Sequence, residues 1–110
     1  MFSRSARLPR DQFEALLKDG QRKSSTHLLV RAKKRSDNLP TRVAVSVAKK
    51  TLKQAAKRNL LKRQLRHALR AHYATIPIGF DILITARGSF ETYSFNEVSS
   101  EIGHLLEQLR

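Results

Sequence analysis

The 110-residue chain carries 22 Lys and Arg against 9 Asp and Glu, a formal net charge of +13, and has no cysteine. It can therefore form neither a disulfide framework nor a thiolate metal site, and no apolar run approaches the ~20 residues of a membrane span. The charge is lopsided, with residues 1–70 at +16 and residues 71–110 at −3. That asymmetry favours a polyanionic partner over a solubility surface of mixed signs.

The length suits a single domain, 1–110, with one core and no need of staples. The first residues, Met1 to Arg7, lack a signal-peptide core, so a soluble, cytoplasmic protein without a membrane partner is expected. Pro9 and the stretch Asp11 to Gly20 read as a short helix, with Pro9 in its first turn and Gly20 in the left-handed position after its end. Thr26 to Lys33 reads as a strand, and the turn-rich stretch Lys34 to Pro40 joins it, as a hairpin, to the next. That next strand, Thr41 to Ala48, alternates with period two. Val43, Val45 and Val47 face the core, while Arg42, Ala44, Ser46 and Ala48 make a shallow second face able to admit a ligand.

A basic helix follows from about Lys53 to His72. After Ile76 to Gly79 turns the chain, Phe80 to Arg87 forms a third strand with apolar residues on both faces. Ser94 and Glu97 have capping-box spacing and open a last helix, whose Phe95, Val98, Ile102, Leu105, Leu106 and Leu109 form an apolar stripe. The order is α-β-β-α-β-α, an α+β domain with a small sheet covered by helices.

The basic helix carries the functional signal. No acid occurs between Asn38 and Phe80, and like charges at i,i+4 destabilise an isolated helix. At 100° per residue, Leu61, Leu65, Ala68, Leu69 and His72 gather on one side. Asn59, Lys62, Arg63, Arg66 and Arg70 gather nearly opposite, within an arc of about 100°. Arg58 lies on the shoulder between them, and Lys53 and Lys57 occupy a third side. Cations about 5–6 Å apart along the stripe approach the phosphate repeat of a nucleic-acid strand, and arginine can bind phosphate bidentately. A membrane-surface helix would need a broader apolar face with aromatic anchors, whereas this apolar side is required by the core.

The run Val45 to Lys50, followed by Ala55, Arg58, Asn59, Lys62, Arg63 and Arg66 at their spacing, resembles the motif region of the protein subunit of bacterial ribonuclease P. The resemblance extends over nearly the whole chain, through Gln12, Phe13 and Gly20, through Arg42 and Val43, and through Asp81 to Gly88. It implies a small mixed sheet with a left-handed β-α-β crossover (ribosomal protein S5 domain 2-like). It also implies an endoribonuclease holoenzyme for tRNA processing, in which a separate catalytic RNA hydrolyses precursor tRNA with magnesium. On that basis Lys49, Lys50, Arg58, Asn59, Lys62, Arg63 and Arg66 are candidate RNA contacts, joined by Lys53, Lys57 and Arg70. Phe13 matches an aromatic lining the groove for the 5′ leader, beside Arg42, Ala44 and Ser46. Two positions depart from the family pattern: Leu60, where a basic residue is common, and Leu17, where a second aromatic is common.

No residue is expected to be catalytic or to bind metal. The nine acids are scattered, whereas metal nucleases cluster carboxylates, and the four histidines show no zinc-ligand pattern. The expected partners are the catalytic RNA and the precursor leader, with one monomeric protein per RNA. The competing class is a non-enzymatic RNA-binding protein of ribosomal or chaperone type, which explains the charge but not the full spacing.

Overall fold

A computed structural model describes residues 8–35, 40–76, 78–88, 90 and 93–109. A 3₁₀ turn (Arg10–Gln12) leads into α1 (Phe13–Asp19), then β1 (Gln21–Ser24), β2 (Leu28–Lys34), β3 (Arg42–Ser46), α2 (Ala55–His72), β4 (Phe80–Ala86) and α3 (Phe95–Glu107). The strand β1 is additional to the expected order. Its sequence, Gln-Arg-Lys-Ser, has no apolar alternation, and only antiparallel pairing with β2 makes it a strand.

The sheet order is β1-β2-β4-β3, which overturns the expected hairpin between the second and third strands. β2 pairs with β4, not β3, and β3 runs parallel to β4. Residues Ser36 to Leu39 of the expected turn lie outside the described residues. A parallel neighbour requires a long crossover, and the α2 segment supplies it. Helix α2 contains no β-branched residue and is built mainly from Ala, Leu, Arg and Lys, all strong helix formers. It starts at Ala55 and ends at His72, close to expectation.

The core lies between one sheet face and helices α2 and α3. Val43 and Val45 of β3, Ile82 and Ile84 of β4, and Leu28 and Val30 of β2 meet Leu61, Leu65 and Leu69 of α2 and Val98 and Ile102 of α3. Tyr73 donates its hydroxyl to the Thr41 carbonyl at 2.7 Å, and the buried Thr41 hydroxyl accepts the Phe80 amide at 3.1 Å. Those bonds fix the start of β3 against β4. Gly79, at φ 87°, makes the turn into β4.

On the other sheet face a small cluster of Leu8, Leu16 and Leu83, with Phe13 and Ala44 against it, seats α1. Gly20 does not take the expected left-handed conformation; it is extended, at φ −72° and ψ 151°. Glycine is needed there for space: a Cβ would lie 2.7 Å from the Leu16 carbonyl oxygen and 3.1 Å from that of Ala32. At the opposite end, the Ser94 hydroxyl accepts the Glu97 amide at 3.5 Å and opens α3.

Candidate nucleic-acid interface

Period-two alternation sends Val43 and Val45 into the core and leaves Ala44 and Ser46 half-buried on the opposite face. β3 is an edge strand; α1 packs on one face of the sheet, over β2 and β4, with Phe13 toward Ala44, and α2 packs against β3 on the other face. Between them opens a cleft of about 430 Å³. Leu8, Arg10 and Phe13 form one wall, Lys62 and Arg66 the other, and β3 from Val43 to Ser46, with Val47 just after it and Leu69, lines the bottom. Helical angle explains the second wall: Lys62 and Arg66 border the core-facing Leu69 on α2. One aromatic, three cations and two small residues thus converge from three chain segments.

The rest of the α2 stripe continues from this wall. Asn59, Arg63, Arg66 and Arg70 are exposed and Lys62 is half-buried. Among the described residues, no carboxylate lies within ion-pair distance of Lys57, Lys62, Arg63 or Arg66. Leu60 is also exposed, at 43%, so it interrupts the polar surface without serving the core. Lys49 and Lys50 stand exposed on the turn after β3, and Lys53 is exposed just before α2.

Two candidates are engaged otherwise. The Arg42 guanidinium meets Asp81 through two 2.8 Å bonds, with Arg35 4.0 Å from the same carboxylate. Arg42 shares a sheet face with Ala44 and Ser46 but does not line the cleft. Arg58 donates from Nη1 to the carbonyls of Leu52 and Lys53, at 2.8 and 2.7 Å.

Three cations escaped the sequence reading. Arg10 enters the cleft because the 3₁₀ turn precedes α1. Arg31 lies directly opposite Arg22 in the β1–β2 register, in one cross-strand row with Leu83 and Ala44. Its buried Nε has no hydrogen-bond partner, and like charges directly opposite are unfavourable. Alternation along Leu28 to Lys33 assigns Arg31 to the non-core face, but only the strand order places that face beside Ala44.

A separate polar cluster ties the β1–β2 turn to α3. Glu101 accepts the Ser25 hydroxyl, the His27 amide at 2.8 Å and a 2.6 Å contact with His27 Nδ1. Burial pushes the Glu101 carboxyl up, but these hydrogen bonds and the neighbouring imidazole outweigh it and leave the pKa lowered. Burial alone raises the Tyr93 phenol, whose hydroxyl donates to Gln64. His67 packs against Phe95, with ring centroids 6.0 Å apart. Among the described residues no group of three or more His, Asp or Glu is placed to hold a metal ion, and no helix is long and apolar enough to cross a membrane.

The family model described as Ribonuclease P matches residues 2–110. A ribonuclease P protein component of Synechococcus sp. is 31% identical over 102 residues, covering 90% of this chain and 77% of that protein. One from Brevibacillus brevis is 28% identical over 108 residues, covering 97% and 85%. The solved ribonuclease P protein of Thermotoga maritima superposes with a TM-score of 0.84 at 29% identity, covering 94% of this chain and 97% of that one.

Proposed function

The chain belongs to the ribonuclease P protein family, and we propose that it serves that tRNA-processing endoribonuclease by binding two RNA elements at once. The exposed stripe of α2 and the Lys49–Lys53 loop engage the catalytic RNA, while the cleft receives the single-stranded 5′ leader of precursor tRNA. The convergence of Phe13, Arg10, Lys62 and Arg66 on one cleft carries this reading. Phe13 offers a stacking face for a base, the cations offer charge-assisted bonds to phosphates, and Ser46 offers a hydroxyl to a base edge or sugar. Arg22 and Arg31 extend the cationic path across the sheet from Ala44. Phosphodiester hydrolysis with magnesium belongs to the RNA. This chain's contribution is phosphate neutralisation, which lets the RNA fold compactly, and alignment of the leader. The complex contains one protein per RNA and works in the cytoplasm.

The test is reconstitution with a bacterial catalytic RNA at low magnesium. The protein is expected to stimulate leader removal and to tighten binding of precursor relative to mature tRNA. Failure to stimulate cleavage refutes the role. Equal affinity for precursor and mature tRNA removes the leader from the cleft.

A further inference from the structure

Arg58 looks from its sequence position like one more phosphate contact, but its geometry points inward. Its Nη1 bridges the carbonyls of Leu52 and Lys53, and the residue is only half-exposed at the start of α2. The segment between β3 and α2 has few other restraints. The amides of Thr51 and Leu52 both donate to the Ala48 carbonyl, at 3.0 and 3.3 Å, and Leu52 inserts into the core. Gln54, at the helix N-cap, makes no side-chain cap bond, and the first turn of α2 contains no acid. Lys49, Lys50 and Lys53 occupy this short segment and repel one another. A guanidinium held on two consecutive carbonyls closes the loop against α2, opposing the spread that this repulsion favours.

We propose that Arg58 is a positioning residue that strengthens RNA binding by ordering the Lys49–Lys53 loop, rather than by touching a phosphate itself. The proposal rests on the RNA-binding role given above. Arginine suits the task because its planar fork is permanently charged and is preorganised for fixed donor geometry. A phosphate contact by Arg58 would add to those of the loop lysines; a clamp acts only through them.

A double-mutant cycle separates the two. Affinity for the catalytic RNA is measured across a salt series for the wild type and Arg58→Ala. The same pair is then compared in a background carrying Lys49→Ala, Lys50→Ala and Lys53→Ala. Loss of two charged hydrogen bonds is expected to weaken wild-type binding by about 10-fold. In the lysine-free background the same change is expected to cost less than about 2-fold, since coupled residues are not additive. An equal loss in both backgrounds, with the log–log salt slope still falling by about 0.7–0.9 in the lysine-free one, overturns the clamp in favour of direct contact. Amide hydrogen exchange of the free protein gives a readout without RNA. Thr51 and Leu52 should exchange faster in Arg58→Ala while Leu61 to Leu69 keep their protection, and unchanged exchange at Thr51 and Leu52 also overturns the clamp. If Arg58→Ala does not fold, Arg58→Met, which keeps the apolar stem but cannot donate to the carbonyls, replaces it under the same criteria. Absence of wild-type binding to the RNA is a separate outcome, which overturns the RNA-binding role itself and the clamp with it.

Discussion

Lys62 and Arg66 form the α2 wall of the cleft and have no carboxylate partner among the described residues, so their charges are available to a ligand. For a single strand each phosphate contact contributes about 0.7 to the slope of log affinity against log salt. Replacing both residues with Ala should therefore lower that slope by about 1.4, and between about 50 and about 200 mM salt the gap to wild type should narrow by about 7-fold. Fluorescence anisotropy of a labelled precursor, titrated with protein and catalytic RNA across that range, measures it. Arg42→Ala is the internal control. Its charge is already opposed by Asp81 through two 2.8 Å bonds, so the slope should stay at the wild-type value. Stability should fall by about 1–3 kcal/mol, because Asp81 loses charged hydrogen bonds and, among the described residues, is left with Arg35 at 4.0 Å. A slope unchanged in the double variant, or lowered as much by Arg42→Ala, would show that the cleft does not hold phosphates.

Phe13→Ala should weaken precursor binding by about 1–3 kcal/mol if a base stacks there, leaving affinity for the catalytic RNA intact; equal loss toward a leaderless tRNA would assign Phe13 to packing alone. Arg31→Met keeps the apolar stem but removes a charge facing Arg22. It should raise the urea midpoint, with a gain of up to about 1 kcal/mol, and lower precursor affinity, and a loss of stability would contradict the unfavourable pairing. Glu101→Gln tests the tie between the β1–β2 turn and α3. Because the folded pKa of Glu101 is lowered, the native state binds this proton less readily than the unfolded chain, and stability rises with pH where the two differ. The wild-type advantage should be complete above the ordinary value of 4.5 and vanish as pH falls through the lowered one. Urea unfolding at a series of acidic pH values would show it, and a pH-independent difference between the two proteins would contradict it.

Much of the fold was legible because helical and strand periodicity are local properties. The core faces of β3, α2 and α3 follow from spacing alone: Val43, Val45, Leu61, Leu65, Leu69, Val98 and Ile102 are all buried. The strand β1 was not legible, since its polar residues become a strand only beside β2. Gly20 suits a left-handed position by its place after α1, yet it is extended, and the backbone that crowds it comes partly from Ala32, on another strand.

The sequence by itself determined the charge stripe, its separation from the core side of α2, and membership of the family. These depend on residue type and on distances along one helix. Tertiary structure decided which cations are committed and which are available. Arg42 and Arg58 carry the same formal charge as Arg66, yet one faces Asp81 and the other bridges two carbonyls. It also built the cleft, because inserting β4 between β2 and β3 puts β3 at the sheet edge, with α2 against it on the core face and Leu8, Arg10 and Phe13 along its other side. Strand order is a non-local choice, made by burying Ile82, Leu83 and Ile84 at the centre of the sheet, and an apolar run on both faces indicates a central strand without naming its neighbours.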